Sequence, residues 1–277
     1  MTLCVAAACH DRGKPRIVIA TDWRAEGYLA GADIQDKLYW VGDDIVVLIA
    51  GTITKAIELK NTIVQYVEQI QAQKLPGPKA ADLCDFFRTP VVQFKRKLVQ
   101  EHIGLHFGLS YAELLQAIGL SQIPETIAAE AMGEIKRLDQ DCCLLLCMFD
   151  ADGRPRILKV DSDGTLEIVE SFTAIGSGSP IAESVLFQRE HVEDDVLGAS
   201  LYHVYEAMKL GSIAPGVGKE FTINVLFPPD REHPHLYGDV LNKKGMTFME
   251  KEFRERGPKP FTNFKKLPNR ILERDFS

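Results

Sequence analysis

Residues 2–9 read TLCVAAAC, and residues 16–24 read RIVIATDWR, with HDRGKP between them. Both are apolar runs of strand length, and the polar connector carries Gly-Lys-Pro for a turn. Folded back across a turn near Gly13, antiparallel partners have position numbers summing to about 24 to 26. Thr2 then comes beside Asp22, Trp23 or Arg24. One hairpin thus delivers a hydroxyl and an acid to the same end of a sheet. The next apolar stretch begins DKLYW, and it can bring Lys37 to that end too.

The rest of the chain reads outward from this hairpin. KLYWVG and DIVVLIAG continue the β-structure. From Thr52 the period changes: Ile53, Ile57, Ile63, Val64, Val67 and Ile70 recur at helical spacing, and PGP at 76–78 closes that helix. A second helix is expected from Pro78 to about His102, with Leu83, Phe87, Val91, Phe94 and Leu98 on one stripe. Residues 103–137 read as a helical insert of two shorter helices. Strands resume at DCCLLLCMFD, PRILKVD, TLEIVE and FTAIGSG. Helices near 180–190 and 197–210, strands at EFTINVLFP and HLYGDVL, and a helix at 246–256 follow. A Pro-broken extension from about 257 ends the chain. Runs such as CLLLCM are apolar on both faces, which suits strands covered on both sides. The order predicts an α+β chain folded as a four-layer αββα sandwich. No stretch is rich enough in Gly, Ser or Pro to divide it, so one domain over 1–277 is expected.

Composition narrows the function. The chain has 277 residues, 45% of them hydrophobic, and a net charge of −7. It can bury one large core or two modest ones. The acidic balance gives no support to nucleic-acid binding, and no apolar run has the length of a membrane span. The start lacks a basic region and an apolar signal core, so a cytoplasmic protein is expected. Six cysteines in a chain this long are not a disulfide framework and read as buried reduced thiols. No cofactor and no metal site are expected. His233 and His235 in HPH lack a carboxylate or Cys at matching spacing and read as a surface loop. GSIAPGVGK fails as a phosphate-binding loop, because Ile213 stands where Gly is required and Glu220 follows Lys219.

The chemistry lies with Thr2. A Thr hydroxyl is a poor nucleophile unless a base stands beside it. If Met1 is removed, the base is in the same residue, since an α-amine titrates at roughly 7.7–8.0. A lysine nearby would lower the amine or hydroxyl pKa, and an acid would hold that lysine in place.

The set MTLCVAAAC, RIVIATDWRA, DKLYWV, DIVVLIAGT and AIGSGS, in this order, resembles the proteasome β-type branch of the N-terminal nucleophile hydrolases. That branch includes the bacterial proteasome-like proteins HslV and Anbu. The resemblance covers about 2–60, 141–190 and, weakly, 197–226. It implies Thr2 as nucleophile, Asp22 and Lys37 as its acid and lysine, Gly51 as the oxyanion-hole glycine and Ser177 as the serine near the amine. It also implies a specificity pocket at Ala25, Gln35, Tyr39, Ile49, Ile53 and Ile57. Most of these are apolar and none is charged, so cleavage after large apolar residues is expected. The implied activity is a threonine-type endopeptidase acting on peptide or protein. The implied partners are further copies of the chain, in a ring or helical homo-oligomer, and a separate ATPase or unfoldase. An inactive shell subunit and a small-amide hydrolase are the alternatives. One departure stands out: Val217 occupies the place of a family serine before Gly218, no Asp precedes it, and Ser212 lies at a poor spacing.

Overall fold

The computed structural model describes residues 2–23, 25–26, 31–32, 37–42, 44–73, 82–230 and 235–258. It forms two units, Met1–Leu241 and Asn242–Ser277.

The first unit is built on two five-stranded antiparallel sheets. In one, β10 (Phe172–Gly176), β1 (Leu3–Asp11), β2 (Lys14–Asp22), β11 (Phe221–Phe227) and β12 (Tyr237–Val240) lie side by side in that order. In the other the order is β5 (Leu38–Val41), β6 (Ile45–Gly51), β7 (Cys142–Phe149), β8 (Pro155–Val160) and β9 (Leu166–Val169). Helices α1 (Ile53–Ala72) and α2 (Leu83–Phe107) cover the second sheet, and α5 (Ser179–Gln188) and α6 (Leu197–Gly211) cover the first. This is the expected αββα layering.

The period of two along the strands makes the layers possible. On β6, Ile45, Val47 and Ile49 join the helix-side core, while Val46, Leu48 and Ala50 join the core between the sheets. On β7, Leu144, Leu146 and Met148 face the helices, and Leu145 and Cys147 face the other sheet. β1 contributes only the small side chains Cys4, Ala6 and Ala8 to the space between the sheets. Buried aliphatic side chains of this kind each contribute roughly 1.5–3 kcal/mol.

The first hairpin pairs Cys4 with Thr21 and Asp11 with Lys14. Its tight turn places Arg12 and Gly13 at φ of 51° and 76°. Two positive values are the demand of the primed turns that suit twisted hairpins.

α1 buries Ala56, Leu59, Ile63 and Val67. Among the described residues α2 begins at Leu83 and runs past His102 to Phe107, where Gly108 in the left-handed conformation caps it; the expected start at Pro78 lies outside the described residues. The first residues of the expected insert, including buried Ile103, therefore belong to α2. α3 (Tyr111–Gly119) and α4 (Glu125–Arg137) follow, and Ile103, Leu114 and Ala131 form a small core of their own. Ser110 and Glu113 close α3 with a reciprocal capping box. A short ribbon of β3 (Ala25–Glu26) and β4 (Gly31–Ala32) gave no sequence signal. PGP at 76–78 lies outside the described residues. In the second unit α7 (Lys243–Arg256) is capped by the Asn242 side chain, and the extension beyond 258 lies outside the described residues.

Candidate active site

The start of β1, the end of β2, the start of β11 and the end of β10 meet at one edge of the first sheet. The register puts Phe221 beside Asp22, and Leu3 beside Gly176. Asp22, fully buried, is the centre of this meeting. Its Oδ1 accepts from the Thr2 hydroxyl at 3.2 Å, the Leu3 backbone N–H at 2.8 Å and the Lys37 ammonium at 2.7 Å. Its Oδ2 accepts from the Gly218 backbone N–H at 2.9 Å. Four donors converge on the carboxylate, three on Oδ1 and one on Oδ2, which is how a buried acid is made tolerable.

Lys37 comes from the other sheet. It precedes β5, and its carbonyl accepts from the Ile49 N–H at 3.0 Å. Only 3% of its side chain is exposed. The Asp22–Lys37 pair thus joins the two sheets at their shared edge. Cys4 lies close by, and burial, with the Asp22 carboxylate, pushes its thiol well above the usual range.

Two glycines shape the approach. Gly51 ends β6 at φ of 94°, and a β-carbon there would stand 2.3 Å from the Asp141 carbonyl oxygen. Gly176 ends β10 at φ of 96° against the backbone of Thr2. Ser177 Oγ and the Gly178 N–H both point to the Thr2 carbonyl oxygen, each at 3.5 Å. Ser179 instead donates to the Gly176 carbonyl at 2.7 Å.

Thr2, Lys37, Gly51 and Ser177 line one open cleft of about 730 Å³. Asp22 lies behind them, bonded to Thr2 and Lys37. Of the six residues read as a specificity pocket, Ile53 lines this cleft. Ile49 belongs to the helix-side core, and Tyr39 and Ile57 pack against that core. The Ala25 side chain and Gln35 lie outside the described residues. The cleft wall that the sequence reading missed is polar, with Thr52, Asp139, Asp141 and Ser162. Lys55 pairs with Asp141 at 2.5 Å, and Ser162 donates to Asp139 at 3.0 Å.

Val217 is buried, with its side chain against the Gly178 backbone position. Ser212 Oγ donates to the Lys209 carbonyl at 2.7 Å, so it serves the end of α6. The donor that this loop gives the site is the backbone of Gly218.

Residues 126–204 match the family model of the proteasome subunit. The match runs from α4 into α6 and includes Ser177, but not Thr2, Asp22, Lys37 or Gly51. Together with the two-sheet sandwich, it supports a proteasome-like chain of the β type. No curated protein matches the chain. Among the described residues no helix is long and apolar enough to cross a membrane.

Proposed function

We propose that the chain is a threonine-type peptidase that uses Thr2 as its nucleophile once Met1 has been removed. The observation behind this reading is the single oxygen Asp22 Oδ1, which holds both the Thr2 hydroxyl and the Lys37 ammonium. In the proposed reaction the freed α-amine takes the hydroxyl proton, directly or through water. Thr2 Oγ attacks the scissile carbonyl carbon, and the backbone near Gly51 stabilises the oxyanion. The C–N bond breaks as the amine returns its proton to the leaving group. Water then hydrolyses the ester on Thr2 and restores the hydroxyl. Lys37, held by Asp22 at 2.7 Å, favours the charge that develops beside it. Ser177 fixes the Thr2 backbone.

The family match supports self-assembly coarsely; the proposed form is a ring or helical homo-oligomer, and a separate ATPase would serve folded substrates. The protein is proposed to work in the cytoplasm. Sedimentation as a species near 30.9 kDa at micromolar concentration would contradict the assembly.

The deciding experiment is an intact mass before and after treatment with a peptide epoxyketone. Loss of Met1 and one adduct, absent from Thr2→Ala, are expected. Retained Met1 with no adduct would end the reading in favour of an inactive shell subunit, which Val217 at the family serine already favours. Turnover of small amides without cleavage of unfolded casein would make it a small-amide hydrolase instead.

A further inference from the structure

At the far end of β1 from Thr2, three side chains turn their ligand atoms toward one point. His191 follows α5, Asp195 precedes α6, and His203 lies within α6. His191 Nδ1 is 3.0 Å from Asp195 Oδ2 and 3.3 Å from His203 Nδ1. His203 Nδ1 is 3.5 Å from the same Asp195 oxygen. The His191 side chain is fully buried, and those of His203 and Asp195 are 15% and 24% exposed.

The hydrogen positions follow from the partners. His191 Nε2 lies 3.0 Å from the Ala8 carbonyl oxygen, which can only accept. Nε2 therefore carries the hydrogen, and in the neutral ring Nδ1 is a lone pair. That lone pair faces a carboxylate oxygen and a second imidazole nitrogen. Arg189 is held by Glu206 through two bonds of 2.6 and 2.8 Å. Three atoms of metal-ligating type thus lie around one point, an arrangement that a cation can occupy.

The dimensions select the cation. Tetrahedral ligands about 2.0–2.1 Å from a zinc ion stand about 3.3–3.4 Å apart. The three measured edges, 3.0, 3.3 and 3.5 Å, bracket that value. The bond from His191 Nε2–H to a backbone carbonyl is the outer support that a metal-bound histidine carries. We propose that His191, Asp195 and His203 bind a zinc ion through three protein ligands, leaving the fourth position to water. Through the Ala8 carbonyl and the bond from the His10 N–H to the Asp195 carbonyl oxygen, 3.0 Å long, the ion fastens β1 to the start of α6. It sits away from the Thr2 cleft. The spacing H-x3-D-x7-H spans a loop and a helix, which is why the sequence does not announce it.

The test uses the full chain, freed of metal by EDTA and dialysed. Wild type should bind one equivalent of cobalt(II) with the visible bands of a tetrahedral ion, and zinc should displace it. Zinc should also raise the thermal midpoint by several degrees. His203→Gln and Asp195→Asn should each lose at least tenfold in metal affinity. An unchanged midpoint and no cobalt bands in wild type would overturn the proposal and leave an imidazolium–carboxylate pair. Equal zinc binding by wild type and His203→Gln would overturn it as adventitious. If the variants fail to fold, the wild-type cobalt spectrum decides alone.

Discussion

A β-carbon on Gly176 would lie 2.2 Å from the carbonyl oxygen of Thr2. Gly176 also holds φ of 96°, which side chains rarely adopt. Gly176→Ala must therefore displace the residue on which the chemistry is proposed to depend. Turnover should fall by about a hundredfold or more, because misplacement of about 1 Å costs that much. Gly13→Ala is the control. Gly13 has φ of 76° but nothing within 4 Å of the added carbon. It should lose about 1 kcal/mol of stability through strain and leave turnover unchanged. A peptide assay beside urea unfolding separates the two.

Thr2→Ala and Lys37→Met should both abolish peptide cleavage, yet differ in stability. Removing the Thr2 hydroxyl takes away one of four donors to Asp22 and leaves the ion pair whole. That change should cost about 1 kcal/mol or less. Removing Lys37 strands a buried carboxylate and should cost about 3–5 kcal/mol. Equal destabilisation in urea titrations would mean that Asp22 does not depend on Lys37.

Specificity should follow the cleft wall. Ile53 is the apolar residue there that the sequence reading named, and Asp139 and Asp141 are both exposed at it. One of these acids is paired with Lys55, so the surplus is small. Peptides with Lys or Arg before the scissile bond should be cut about two- to fivefold faster than those with Asp or Glu, an exposed ion pair contributing about 0.2–1 kcal/mol. Salt should erase the difference. A fluorogenic panel at two ionic strengths reads this, and faster turnover of the Asp peptide would contradict it.

The thiols give a pH prediction. All six cysteines are free, and Cys4, Cys9, Cys142 and Cys147 are buried. Burial raises Cys9 to about 11, and Cys142 and Cys147 to about 12. An unfolded thiol titrates near 8.5, so above that pH the unfolded state loses its protons first. The stability these thiols confer is whole below about pH 8.5 and fades as pH climbs toward 11–12. Between pH 8 and pH 10 the loss should be on the order of 2 kcal/mol per buried thiol. Urea unfolding at both pH values should show a shallower decline in Cys147→Ala than in wild type. The same decline in both would refute the assignment.

Much of this was written in short, local patterns. The hairpin of β1 and β2 could be paired by arithmetic, because a tight turn fixes register. The two apolar faces of β6 and β7 announced a strand sandwiched between layers. The pocket was harder, because carrying residues over by position ignores side-chain parity: Ile49 is odd in a strand whose odd members face the helices. The polar wall was hidden for another reason. Asp139 and Asp141 lie almost ninety residues from Gly51 and reach it through the β6–β7 pairing of Gly51 with Cys142 and the bond from the Thr52 N–H to the Asp141 carbonyl. The Leu3 and Gly218 bonds to Asp22 are backbone bonds, and no side-chain motif encodes them.

Because Thr2 stands immediately before β1 and lines the cleft, the placement of an affinity tag is not neutral. Residues fused ahead of it would turn its amine into a peptide bond and crowd the cleft mouth. Such a preparation would purify well, fold well and look inert. A handle joined after Ser277, with the second codon left as Thr, keeps that end of the chain as a reagent.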